Sequence, residues 1–262
     1  LLSLNCSAAL LITPSRVVFE DRTRTAQVTL VNKGTETTTY RISFIRQNMT
    51  VDGKFVPVEA DTEGMYSDTM VRYSPRQITL APGQSQIVRL MLRKPGDLPD
   101  GEYRSHMLLQ ALPETSKSDI SRAVTEGSDE ITLEITTIIG VSIPVIVRNG
   151  KLDTGLALSN ASYIKSADPE IKSHIALDMN RTGSQSTYGD FRVSYIDENG
   201  QAVVVGNVKG VAVYSPNALR KFQIPVNTPA GVEYDKGRFH ITYTEPGKDE
   251  NTGLIAAVDI KL

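Results

Sequence analysis

The chain has 262 residues, a formal net charge of -2, 40% hydrophobic residues and 22% charged residues. That length suits two domains of ordinary size with real cores, and the charged fraction is that of a globular chain, not a disordered one. No Lys/Arg-rich block is present, which argues against nucleic acid or an anionic membrane as a partner.

Residues 1–9 open an uncharged apolar stretch, LLSLNCSAALLI, too short to span a bilayer. With Ser7-Ala8-Ala9 as small residues, it reads as the remnant of a signal peptide, and the mature, exported chain is expected to begin near Leu10. The sole cysteine, Cys6, lies inside that leader. The mature chain is therefore expected to have no disulfide and no cysteine nucleophile or ligand.

Strand signals dominate the chain beyond the leader. Arg16–Phe19 and Ala26–Val31 are β-rich, and Asn32-Lys33-Gly34 marks a turn. Thr38–Ile45 alternates apolar and polar residues. Val51-Asp52-Gly53-Lys54-Phe55 carries a hairpin signal. Ile78–Leu80, Ala81-Pro82-Gly83-Gln84 and Ile87–Leu92 repeat the strand–turn–strand theme. A polar break at Asn149-Gly150-Lys151 divides residues 10–148 from residues 149–262. In the second half Phe191–Ile196, Asp197-Glu198-Asn199-Gly200 and Ala202–Val205 predict another hairpin, and the prolines at 216, 225 and 229 predict loops or edges. Gly101-Glu102-Tyr103 and Gly237-Arg238-Phe239 open comparable strands in the two halves. The expected fold is all-β, with two immunoglobulin-like sandwiches.

The segment Glu130–Arg148 stands out. Ile131, Leu133, Ile135, Thr137, Ile139, Val141 and Ile143 alternate along one face. Period 2 over that run spans roughly 43 Å at ~3.3 Å per residue, more than one small sandwich covers. One reading is a long core strand that crosses between sheets. The other is a strand lent to a second chain, pairing through its backbone and inserting alternate side chains into that chain's pockets. An uncovered apolar edge also lets the free protein pair with a second copy of itself. The polar segment Ala111–Asp129 before it reads as a long mobile loop.

Several motifs resemble the periplasmic chaperones of pilus and fimbrial assembly, in particular their divergent, archaic-type branch. Pro14-Ser15-Arg16-Val17-Val18-Phe19 is similar to the family's first strand. Ser74–Arg89, built around Ile78-Thr79-Leu80-Ala81-Pro82-Gly83-Gln84, is the most specific match. Leu98–His106 and Ile143–Arg148 resemble the last two strands of the first domain, while the second half matches only loosely.

The resemblance implies an L-shaped pair of immunoglobulin-like domains, located in the periplasm, the first carrying a donor strand, here Ile131, Leu133, Ile135, Ile139 and Val141. The partners it implies are pilus or fimbrial subunits and an outer-membrane usher, with donor-strand complementation as the mechanism. It implies too that a cleft Arg and Lys hold a subunit's C-terminal carboxylate. Arg16 fits the first role. The lysine position falls at or beside Pro144, with Arg104 or His106 as candidate substitutes. The family's usual disulfides are absent as well.

No nucleophile elbow, phosphate loop or dinucleotide fingerprint occurs, and His106, His174 and His240 lie far apart in sequence. No enzyme activity, cofactor, metal, nucleic acid or membrane insertion is expected. Asp197-Glu198-Asn199-Gly200 reads as a hairpin turn rather than a calcium loop. The competing readings are a structural adhesin or pilin-like surface protein and, more remotely, a hydrolase on a β-scaffold.

Overall fold

The computed structural model describes residues 10–59, 64–112, 140–166, 168, 172–228 and 234–262. In chain order the strands are β1 (Leu10–Thr13), β2 (Val17–Phe19), β3 (Thr25–Asn32), β4 (Thr38–Ile45), β5 (Gln47–Met49), β6 (Phe55–Pro57), β7 (Val71–Ser74), β8 (Gln77–Leu80), β9 (Ser85–Leu92), β10 (Gly101–Ala111) and β11 (Gly140–Asn149). There follow β12 (Thr154–Ile164), β13 (His174–Gly183), β14 (Thr187–Ile196), β15 (Ala202–Val213), β16 (Leu219–Pro225), β17 (Arg238–Thr244), the one-turn helix α1 (Glu250–Gly253) and β18 (Leu254–Lys261).

The chain forms two compact units. The first comprises the chain up to Arg46, Val58–Leu98 and Tyr103–Arg148. The second comprises Asn149–Leu262 together with two short pieces from the first half, Gln47–Pro57 and Pro99–Glu102.

In the first unit a four-stranded sheet, β1-β3-β9-β7, faces a five-stranded sheet, β2-β11-β10-β4-β8. The first follows the A-B-E-D strand order of an immunoglobulin-like sandwich, and β11-β10-β4 follows its G-F-C order. All described pairings are antiparallel except β2 with β11, which run parallel. Alternation explains the core. In β3, Val28 and Leu30 turn inward, while β9 contributes Val88 and Leu90 and β10 contributes Met107 and Leu109. Each such side chain stabilises the fold by about 1.5–3 kcal/mol through burial.

The predicted turn after β3 has a buried anchor. Asn32 donates through Nδ2 to the carbonyls of Leu80 (2.9 Å) and Glu36 (2.7 Å), and its Oδ1 accepts from the Gly34 N–H at 2.9 Å. The two donated bonds need an amide rather than a carboxylate, while the accepted one is the side-chain-to-backbone contact that Asn and Asp share at turns.

In the second unit β12-β13-β16 faces β15-β14-β17-β18, again an immunoglobulin-like sandwich, with β15 as the added edge strand. Its core is aromatic: Phe191 lies 4.8 Å from Tyr243 and stacks on Phe222 at 5.5 Å. The Asp197–Gly200 turn forms as predicted. Asp197 Oδ1 accepts from the N–H groups of Asn199 (2.9 Å) and Gln201 (2.8 Å). The proline-bearing stretch forms β16, an edge strand that pairs only with β13 among the described residues.

The β5–β6 hairpin completes this second unit. Lys221 N–H donates to Val51 O at 2.8 Å, and Asn217 Nδ2 donates to Met49 O at 2.7 Å. The turn glycine, Gly53, has φ +77, and a Cβ there would lie 2.5 Å from the Arg220 guanidinium. Only glycine suits both constraints. Arg220 in turn donates to Ala212 O at 2.5 Å and lies over the Phe222 ring.

From Pro99–Glu102 comes a buried carboxylate. Glu102 accepts from the Ser186 N–H at 3.1 Å and from its hydroxyl. Nearby, Arg181 donates to the carbonyls of Asn217, Thr182, Gly183, Gln185 and Pro216. A buried acid and a buried base thus both find partners, as buried charges must.

Candidate functional site

The strand β11 carries the end of the predicted donor segment. Ile131, Leu133, Ile135 and Ile139 lie outside the described residues, as do the leader and the predicted loop from residue 113 onward. Val141 is described, and it sits at the start of β11.

Parity fixes which way β11 faces. Val145 and Val147 pair in register with Val17 and Phe19, and all four belong to the first core. Ile143 and Val141 share that face by alternation. The row is buried at Val147, Val145 and Ile143, which is 4% exposed, and then emerges: Val141 is 38% exposed. The sandwich stops covering its own apolar row between these two residues.

The backbone edge opens at the same place. Among the described residues β2 pairs only with Val145, Ile146 and Val147 of β11. Residues 140–144 therefore extend past β2 along the sheet edge. Pro144, which has no N–H to offer, stands where this cover ends.

A buried polar network holds β11 there. Ser67 donates its hydroxyl to Val145 O at 2.7 Å, and its N–H donates to Ser105 Oγ at 3.0 Å. Ser105 Oγ also accepts from the Asp68 N–H (3.1 Å) and donates to Asp68 Oδ1 (2.8 Å). Arg46 closes the network with a two-pronged pair to Asp68, both contacts 3.1 Å, and lies over the Tyr66 ring. Burial pushes the Asp68 carboxyl pKa up, but hydrogen bonds from Arg46 and Ser105 and the guanidinium charge outweigh it and hold it below the ordinary value. None of these residues stood out in the sequence, because the partners lie 22 to 78 positions apart.

The predicted cations occupy the opposite face of the same sheet. Arg16 directly precedes β2 and is half-buried. Extending the parallel register from Val17↔Val145 places it beside Pro144. Arg104 and His106 alternate with the core residues Tyr103 and Met107 on β10 and point away from that core. They are 5% and 1% exposed. The sheet order puts β11 between β2 and β10, so all three residues flank one strand on one face.

His106 differs in chemistry from the two arginines. Burial, reinforced by the Arg104 charge, pulls its pKa down to about 4. It is a neutral imidazole at pH 7 and a hydrogen-bonding group rather than a cation. Arg16 and Arg104 bring fixed positive charge to either side of β11 on this face.

Among the described residues no cluster of His, Cys, Asp or Glu could hold a metal ion, and no helix is long and apolar enough to cross a membrane. His240 nonetheless has two carboxylates beside it, Asp259 and Glu250, which sequence spacing of 19 and 10 positions concealed.

The fold and this strand define an all-β protein of two immunoglobulin-like sandwiches, one with an apolar strand that outruns its own core. Along nearly its whole length the chain resembles solved chaperones of pilus assembly. The YadV chaperone is 14% identical, covering 97% of this chain and 100% of that one, at a TM-score of 0.44. A chain of the CsuC–CsuE chaperone–tip adhesion subunit pre-assembly complex, from the archaic chaperone–usher Csu pili of Acinetobacter baumannii, is 15% identical over 97% and 98%, at 0.45. The Pseudomonas aeruginosa CupB2 chaperone is 13% identical over 96% and 100%, at 0.43. No protein-family model matches the chain, and no curated protein does.

Proposed function

We propose that this protein is a periplasmic chaperone that binds pilus or fimbrial subunits by lending them a strand, and hands them to an outer-membrane usher. The observation that carries the reading is the emergence of the β11 row from its core between Ile143 and Val141. The sequence continues that row through Ile139, Ile135, Leu133 and Ile131. An extended partner strand alongside residues 140–144 would satisfy their backbone groups and take the alternate side chains into its own core.

Arg16 supplies the anchor. A guanidinium beside the point where β2 begins suits a C-terminal carboxylate, which it binds with two parallel, charge-assisted hydrogen bonds. Arg104 adds positive potential on the same face. The pilus setting comes from the motifs Pro14–Phe19, Ser74–Arg89 and Ile143–Arg148. A pilin-like reading fits less well, since the spare strand is internal and a second sandwich follows it.

The test is capture of a subunit from periplasmic extract by tagged protein. Leu133→Asp or Ile135→Asp is expected to abolish co-purification with circular dichroism unchanged. Undiminished capture by both variants overturns the proposal.

A further inference from the structure

We infer that His240 is a pH-dependent latch that fastens the turn carrying α1 to the β17–β18 pair when its imidazole is protonated and loosens that turn when it is not. The geometry is a bracket. Within the register His240 faces Asp259 directly. Nδ1 lies 2.6 Å from Asp259 Oδ1, and Nε2 lies 3.0 Å from Glu250 Oε1 on α1. A protonated ring has an N–H for each carboxylate. A neutral ring has one, and its other nitrogen then turns a lone pair toward a carboxylate oxygen. Deprotonation therefore converts one of the two attractive contacts into a repulsive one.

The contact that gives way is the one to Glu250. Asp259 sits in the β17–β18 ladder and makes the shorter bond, while Glu250 rides on a one-turn helix. Other ties hold that turn whatever the pH. Asp249 caps α1 by accepting from the Thr252 N–H at 3.0 Å, Glu245 N–H donates to Gly253 O at 2.8 Å, and Lys248 pairs with Glu245 at 2.5 Å. The latch thus modulates the turn and does not create it.

The neighbouring elements bring further charges. On β14, Asp190 is engaged by the N–H groups of Gly210 (2.9 Å) and Gly247 (3.2 Å), and Arg192 lines the same groove. Lys209 lines it from β15, and Lys248, Asp249 and Glu250 line it from the turn. Arg238 of β17 and Lys261 of β18 form the next same-face pair in the register. The ring itself bonds to the two carboxylates, Asp259 and Glu250.

Burial pushes the His240 pKa down, but the bonds to Asp259 and Glu250 and their charges outweigh it, so the net shift is upward from 6.5. For a raised histidine the stabilisation is full below the ordinary value and disappears as pH rises through the folded one.

The experiment is amide hydrogen exchange of residues 245–253 from about pH 5.5 to about pH 8.5, corrected for intrinsic rates, beside the His240 ring titration by NMR. In the wild-type protein protection of this turn is expected to fall several-fold across the range, with the ring titrating above 6.5. In His240→Gln and Glu250→Gln the corrected profile is expected to be flat. Should His240→Gln fail to fold, Glu250→Gln alone carries the comparison, since it leaves β17 untouched. A flat wild-type profile, an unchanged slope in Glu250→Gln, or a ring that titrates at or below 6.5 overturns the inference.

Discussion

Ile143 and Val141 point to the same side of one strand, yet Ile143 is buried in the first core and Val141 is exposed. Their substitutions should therefore separate folding from binding. Val141→Asp changes an exposed position and should alter unfolding free energy by no more than about 0.5 kcal/mol. Ile143→Asp puts an unpaired charge into the core and should destabilise by about 3 kcal/mol or more. Urea unfolding measures the effect on folding and subunit co-purification the effect on binding. Val141→Asp should fold normally and capture poorly. Full capture by a folded Val141→Asp protein would place the binding strand elsewhere.

Arg16→Ala should weaken subunit binding by about 1.5–3 kcal/mol, the range for a hydrogen bond to a charged group. Arg16→Lys keeps the charge and loses the planar fork, so it should recover only part of the affinity. A titration with a subunit lacking its terminal carboxylate should show no difference among the three proteins. An Arg16→Ala protein that binds intact subunit as tightly as wild type would remove this residue from the site.

Much of this was legible in the sequence because it rests on local periodicity. Alternation in Thr38–Ile45, the contacts of Asn32 with Gly34 and Glu36, and the Asp197–Gly200 hairpin each depend on neighbours two to four positions away. The apolar row through Val141 and Ile143 was legible for the same reason. The Ser67–Ser105–Asp68–Arg46 network and the His240 bracket were not, because each joins residues from separate elements with no shared period. The same holds for Gln47–Pro57, whose hairpin chemistry was plain but whose partners, Asn217 and Lys221, lie far along the chain.

That network should be expensive to break. Ser67→Ala removes the donor to Val145 O and the acceptor of the buried Ser105 N–H, which should lower stability by about 1–3 kcal/mol. The effect should appear as a lower denaturant midpoint with an unchanged slope, since the surface exposed on unfolding is the same. If Ser67→Ala unfolds at the wild-type midpoint, the hydroxyl does not fasten β11.

His106 makes stability depend on pH in the acid range. Its folded pKa, about 4, lies below the ordinary 6.5, so the unfolded chain takes up the proton more readily than the folded one. The stabilisation is full above 6.5 and is lost as pH falls toward 4, up to about 3 kcal/mol in total. Asp68 acts with the same sign lower down, since its pKa is held below 3.8 and its contribution fades only under that value. Other carboxylates titrate in the same window, so the informative quantity is a difference. Between about pH 7 and about pH 4, wild type should lose up to about 3 kcal/mol more than His106→Gln, in which the buried group no longer titrates. Chemical unfolding at a series of pH values measures both slopes. Parallel slopes would mean that His106 has the same pKa folded and unfolded, and a wild type that gains stability relative to His106→Gln as pH falls would make it a third cation beside Arg16 and Arg104.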